Sequence, residues 1–172
     1  DLRGSVAFGL LKLAGFNSGR VLLDSFCRTG AVCVEAGLLS VNQSPHFYSK
    51  TKFAFLKLPF VKINVDKFFS EIDSLKVKSS SKILCYDASF PNINAAKKNA
   101  KIAGVMDVID FSRSDVEWLD LKFEEHSVDV IVTYPLQVSK TVPFKKIEVI
   151  YDWFFKNGKF LPQKNGCILT LL

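Results

Sequence analysis

Five apolar runs of six or seven residues each constrain this chain more than any other feature: Arg20–Phe26, Lys82–Ala88, Asp107–Ser112, Val128–Thr133 and Gly166–Leu172. Their length and their period-2 or continuous apolar patterning read as strands. Segments with helical spacing lie between and before them: Ser5–Ala14, Thr29–Leu39, Pro91–Ala103 and Lys146–Phe155. Pro91 suits the first turn of its helix. Strands that alternate with helices pair in parallel through crossovers, and such a sheet needs cover on both faces. The expected fold is therefore an α/β, doubly wound, mainly parallel sheet. With 172 residues and 48% hydrophobic content, the chain suits one domain spanning 1–172 with a substantial core. No run approaches the roughly 20 apolar residues of a membrane span. Residues 1–20 lack a signal-peptide cleavage pattern, so a soluble cytoplasmic protein with no membrane contact is expected.

Two segments break the alternation. Residues 41–81 exceed a simple crossover and read as an insertion, with a helix near Val65–Leu75 and a polar end, KSSSK. Between Val41 and Lys82 stand eight lysines, among them Lys50, Lys52, Lys57 and Lys62, against Asp66, Glu71 and Asp73; Phe47, Tyr48, Phe53, Phe55 and Phe60 are interleaved. Lysines with aromatics suit phosphates and unstacked bases, so RNA is one partner this stretch fits. The other reading is a solvated insertion whose aromatics pack on the core. The second irregularity is that the chain stops on its fifth strand, as a fragment of a longer domain would.

The formal charge of +6 is compatible with a polyanionic partner without requiring one. Cys27, Cys33, Cys85 and Cys167 lack a C-x-x-C spacing and are expected to be reduced core residues, with no metal site. His46 and His126 read as loop residues. Trp118 and Trp153 are expected in core or subdomain packing.

Doubly wound sheets bind ligands beyond the carboxyl ends of their strands, where strand order reverses. Asp24 ends the first strand, Asp87 ends the second and Asp115 follows the third. A carboxylate after the second strand can accept both hydroxyls of a ribose, and one after the third can accept an adenine amine. A nicotinamide dinucleotide would call for G-x-G-x-x-G, and DSFCRTGAVCVE supplies only Gly30. S-adenosylmethionine has no phosphate and carries two cationic groups, which suit strand-end acids.

The order of these motifs resembles the class I S-adenosylmethionine-dependent RNA methyltransferases that carry an upstream THUMP domain and methylate guanine N2 in tRNA or rRNA. LRGSVAFGLLKLAG is similar to that family's helix before the first strand, L-[RK]-P-S-L-A. LLDSFCRTGAVCVEAGLL is similar to L-L-D-P-F-C-G-S-G-T-x-x-I-E-A-A-L. KFAFLKLPFVKINVDKFFSEI is similar to F-A-F-x-K-W-P and its acidic helix, and YDASFPNINAAKKNAKIAG to S-D-I-D-P-x-A-I-x-x-A-x-x-N-A-x-x-A-G. The resemblance covers nearly the whole chain. It implies a Rossmann-like sheet ordered 3-2-1-4-5, here without the last antiparallel strands, and S-adenosyl-L-methionine held by Asp24, Phe26, Gly30, Asp87 and Asp115. It also implies an RNA substrate and an upstream RNA-binding domain outside this chain.

The departures fall at two places. Arg28, Ala31 and Ser25 replace the glycine, threonine and proline of the family's first loop. Arg28 is expected to point into solvent, to fold onto Asp24 or Glu35, or to enter the pocket beside a cationic cofactor. At the fourth strand the family's N-P-P-[YF] holds the target amine and stacks the base; here the stretch is VTYPLQ, with Tyr134 at the Asn position, Pro135, Leu136, and Gln137 at the aromatic position. Tyr134, Pro135 and Gln137 are thus the candidate residues around the base, unless TYPLQ is an ordinary strand-ending turn. Both departures predict slow methyl transfer, or none, by the chain in isolation. The alternative function is a catalytically inactive methyltransferase-like domain that binds RNA or a partner.

Overall fold

A run such as VLL needs apolar neighbours on both faces, and the centre of a parallel sheet provides them. A computed structural model describes residues 2–139, 142–158 and 162–170. Strand β1 (Val21–Asp24) lies between β2 (Lys82–Asp87) and β4 (Val128–Thr133), with β3 (Ile109–Arg113) beyond β2 and β5 (Pro162–Thr170) beyond β4. The order is β3-β2-β1-β4-β5, as expected, and every pairing is parallel. Leu22 sits opposite Ile83 on one side and Val130 on the other.

The helices are α1 (Gly4–Leu13), α2 (Ala31–Ser40), α3 (Val65–Ser74), α4 (Phe90–Ala103), the single turn α5 (Leu119–Lys122) and α6 (Phe144–Gly158). Alternating strand residues feed two cores. Leu22, Ile83, Cys85 and Val130 pack with Ala7, Leu11, Cys33, Ala36 and Ala96 of α1, α2 and α4. Leu23, Leu84 and Ile131 pack with Leu119 and Phe154 of α5 and α6. Val128 and Val130, two apart, fall in different cores, and the β4–β5 register slips between them.

Several boundaries differ from the sequence expectation. Strand β5 begins at Pro162, not Gly166, because a strand paired on β4 alone tolerates polar residues that an apolar run excludes; Leu171 and Leu172 lie outside the described residues. Strand β3 starts two residues late, after a 3₁₀ turn at Met106–Val108 that follows the left-handed cap Gly104 of α4. Neither tryptophan is a core residue. Trp118, in the turn after β3, is 52% exposed, and Trp153, on α6, is 38% exposed. Cys27, Cys33 and Cys85 are buried free thiols, as expected, and Cys167 is half-buried. Burial pushes the Cys33 thiol up to about 12.

Residues 41–81 carry two 3₁₀ turns and α3. Their aromatics form a cluster of their own: Phe53 stacks on Phe69 at 5.6 Å, and Phe55 meets Phe68 edge-on at 5.9 Å. The chain closes at a neck where Val77 N donates to Val41 O and Asn42 Nδ2 to Leu75 O, both at 2.9 Å. No helix among the described residues is long and apolar enough to cross a membrane.

Gly30 caps α2 with φ of +81°, and an added Cβ would lie 2.8 Å from Ala96 Cβ of α4. Gly30→Ala should therefore cost about 2–5 kcal/mol, from the left-handed backbone and from overpacking. The expected result is a lower urea midpoint at unchanged m-value.

Candidate functional site

The carboxyl ends of β1, β2 and β3 converge with the loop after β4 and the N-terminal half of α6. Between them lies a cavity of about 140 Å³, lined among others by Phe26, Arg28, Asp87, Asp115, Val116 and Ile150. Asp87 and Asp115 thus face one space, as their positions after β2 and β3 require. Asp87 is buried and its carboxylate is held from three sides. Oδ1 accepts from Ser89 N at 2.8 Å and Asn92 Nδ2 at 3.0 Å, and Oδ2 accepts from Arg28 N at 2.9 Å. Asp115 is exposed and caps the 3₁₀ turn Val116–Trp118, its Oδ1 accepting from Val116 N at 2.7 Å. Phe26 forms the wall behind, edge-on to Phe154 at 5.5 Å.

Asp24 and Gly30 do not line the cavity of Asp87 and Asp115; Asp24 borders a smaller space beside it, with Arg28 and Tyr134. Asp24 is 1% exposed and lies beneath the loop. Its Oδ1 accepts from Thr133 Oγ1 at 2.6 Å and Phe26 N at 3.2 Å, while Thr133 Oγ1 also accepts from Phe26 N at 3.1 Å. One carboxyl therefore joins the ends of β1 and β4. Gly30 packs on α4 and is not among the residues lining the cavity.

Of its three expected courses Arg28 takes the one into the cleft, where it lines both the cavity of Asp87 and the smaller space beside it. It has a left-handed backbone, φ +51°, and its guanidinium lies over the Tyr134 ring at 5.3 Å. The two departures from the family pattern are thus one contact. Beneath it the remaining space is about 10 Å³, no more than a single water needs. Tyr134 is half-buried, Pro135 buried and Gln137 exposed. Gln137 Nε2 lies 3.5 Å from both Pro135 O and the Tyr151 hydroxyl, which itself donates to Leu136 O at 2.9 Å.

The lysines separate as well. Lys52, Lys57 and Lys62 are exposed, whereas Lys50 is paired with Asp73 and lies over the Phe47 ring at 4.9 Å. Tyr48 and Phe60 are 68% and 76% exposed beside them in sequence. His46 stacks edge-on to Phe53, and His126 Nδ1 meets Pro162 O at 2.8 Å. Sequence reasoning missed Asn92, Thr133 and α6's Lys146 and Ile150. Thr133 alone had a signal, as the polar end of an apolar strand. A larger cavity of about 370 Å³, between α1, α2 and the start of the insertion, contains none of the strand-end residues.

Solved structures show which class of fold this cleft belongs to. SMU.472 complexed with SAH superposes with a TM-score of 0.81 at 22% identity, over 97% of this chain and 44% of that one. TrmN from Thermus thermophilus superposes with a TM-score of 0.63 at 22% identity, over 99% of this chain and 39% of that one. The fold is the Rossmann-like fold of class I S-adenosylmethionine-dependent methyltransferases. More narrowly, the model of the RMKL-like methyltransferase domain matches residues 1–166, and the chain belongs to that family. The tRNA (guanine(6)-N2)-methyltransferase of Methanocaldococcus jannaschii is 29% identical over 171 residues, 99% of this chain and 44% of that protein. The ribosomal RNA large subunit methyltransferase K/L of Shewanella woodyi is 29% identical over 143 residues, 78% of this chain and 19% of that protein. The chain spans less than half the length of these two relatives.

Burial raises the Asp24 carboxyl from its ordinary 3.8 to about 7, against the opposing hydrogen bonds from Thr133 and Phe26. The folded protein holds this proton more tightly than the unfolded chain does. The contribution to stability is complete below about pH 4 and is lost as pH rises through about 7. Asp24→Asn keeps the accepting oxygen without the charge, so its unfolding free energy should vary less between pH 4 and 7 than that of the unaltered protein. Denaturant titrations across that range measure the difference.

Proposed function

We propose that this chain is an S-adenosylmethionine-dependent RNA methyltransferase domain acting on a base amine, N2 of guanine in tRNA or rRNA. The carrying observation is that Asp87 and Asp115 open on one cavity at the carboxyl ends of β2 and β3, in a chain of this family. The donor set fits the nucleoside part of the cofactor. Asp87, oriented by Asn92 and the Ser89 and Arg28 amides, has the placement to accept from ribose hydroxyls. Asp115 has the placement to accept from the adenine amine, with Phe26, Val116 and Ile150 as apolar walls. Bound S-adenosylmethionine supplies an electrophilic methyl group. The chain's part is to hold the acceptor: Tyr134 offers a ring face to the base and Pro135 a carbonyl to the amine, with the Gln137 amide nearby.

Lys52, Lys57 and Lys62, with exposed Phe60 and Tyr48, suit an RNA strand; Lys50 is committed to Asp73. In this reading residues 1–172 act as one domain with 41–81 as an RNA-facing insertion, working in the cytoplasm and served by an RNA-binding domain outside this chain. The inactive alternative would keep RNA binding and lose transfer. Incubation with labelled S-adenosylmethionine and an unmodified tRNA or rRNA transcript separates the two. N2-methylguanine supports the proposal, and labelled cofactor bound without any transfer favours the alternative.

Asp87→Ala removes charge-assisted hydrogen bonds of about 1.5–3 kcal/mol, so S-adenosylmethionine affinity should fall tenfold or more by roughly that measure. Unchanged affinity by calorimetry would move the cofactor elsewhere. Changing Lys52, Lys57 and Lys62 together to Ser should weaken RNA binding at low salt. It should also flatten the slope of log K against log salt by roughly 2, at about 0.7 per phosphate contact of a single strand. An unchanged slope would remove this face from the RNA interface.

A further inference from the structure

We propose that Arg28 and Tyr134 form a clasp that makes them specificity-determining residues. It leaves the nucleoside seat of the cleft open and closes the seat for the nucleoside's 5′ substituent. This inference rests on the cofactor reading above and adds a selection between ligands that share the same nucleoside.

The two halves of the cleft differ in the structure. The side lined by Asp87 and Asp115 holds about 140 Å³, below the roughly 300–1,000 Å³ of complete ligand pockets. The side lined by Asp24, Cys27, Val32 and Tyr134 holds about 10 Å³. Arg28 and Phe26 border both, and the Arg28 guanidinium reaches on to Tyr134, which lines the smaller side, so Arg28 and Phe26 together form the partition.

The partition is fixed at each end. Arg28 N donates to Asp87 Oδ2 at 2.9 Å, and its φ of +51° sets the direction in which the side chain leaves the loop. The guanidinium then lies 5.3 Å from the Tyr134 ring centre, within the roughly 6 Å over which a ring face attracts a cation. Tyr134 in turn follows Thr133, whose hydroxyl is bonded to the buried Asp24. A ligand that ends at the ribose leaves the clasp intact. A ligand with an extended 5′ substituent has to part the two side chains, and the interaction energy of that substituent is offset by breaking the attraction between guanidinium and ring.

The test compares adenosine with S-adenosylhomocysteine, whose uncharged sulfur keeps sulfonium repulsion out of the comparison. Isothermal calorimetry on the full chain would use the unaltered protein, Arg28→Asn, Tyr134→Leu and the double variant. Asn tolerates a left-handed backbone and keeps the amide bonded to Asp87. The unaltered protein should bind the two ligands within about threefold of each other, the tail's favourable interactions being cancelled by opening the clasp. Each single variant should tighten S-adenosylhomocysteine about tenfold and leave adenosine within about twofold. The double variant should add little, since both changes remove the same interaction. In the unaltered protein the Arg28 Nε–H proton resonance should also be ring-shifted, and the shift should vanish in Tyr134→Leu.

If both ligands bind but their affinity ratio is the same in all four proteins, or if the ring shift is absent, the clasp is wrong and the cofactor reading stands. If neither ligand binds any of the proteins, the cofactor reading falls and the clasp with it.

Discussion

The Asp24 carboxyl, shut away from water, is bonded to the last residue of β4 through Thr133 Oγ1 and to the turn after β1 through Phe26 N. A carboxyl in such a place is costly unless it is protonated or well bonded, and here both remedies are partly used. The rest of the cleft follows from that junction. With the ends of β1 and β4 joined, Phe26 is turned toward Phe154 in the second core. The chain continues into a turn where Cys27 N reaches Tyr86 O and Arg28 N reaches Asp87. Asp87 thus owes one of its three donors to a loop that Asp24 positions.

The second layer holds the opposite rim. Asn157, near the end of α6, is buried with Nδ2 at 3.4 Å from both Val116 O and Glu117 O, beside the turn that displays Asp115. One turn or two earlier on the same helix, Tyr151 donates to Leu136 O in the loop after β4. Helix α6 therefore ties the β3 end of the cleft to the β4 end, while its outer face carries the exposed Trp153.

The sheet was legible in the sequence because its central strands must be apolar on both faces, and a short apolar run between amphipathic helices has few other uses. Strand β5 was half legible: Cys167–Thr170 continue in register with Val130–Thr133, while Pro162 pairs with Val128 across a register shift, and the stretch between carries no apolar run to signal it. At the cleft, Asp87 and Asp115 could be placed from position alone, whereas Asp24 could not be told from them. All three end or follow strands, and only three-dimensional packing shows that one points under the loop. Arg28 and Tyr134 each read as an anomaly. That they touch is a relation across more than a hundred residues that no local pattern encodes. The exposure of both tryptophans and the pairing of Lys50 with Asp73 were hidden for the same reason.

The neck at which residues 41–81 leave and rejoin the domain bears on how their surface can change over generations. Val41 and Val77 are hydrogen-bonded to each other, and Asn42 is bonded to Leu75, so the excursion leaves and rejoins the domain at neighbouring points. Lengthening a loop whose ends are already fixed together costs little, and its aromatic cluster gives the excursion an interior of its own. Residues 41–81 are also tied to the end of α4, where Gln43 Nε2 donates to Ala103 O at 2.9 Å. Changes confined to the exposed residues of this segment, such as Lys52, Lys57 and Phe60, fall outside the neck and outside the pairing of Leu22 with Ile83, so this surface can vary in sequence while the sheet stays as it is.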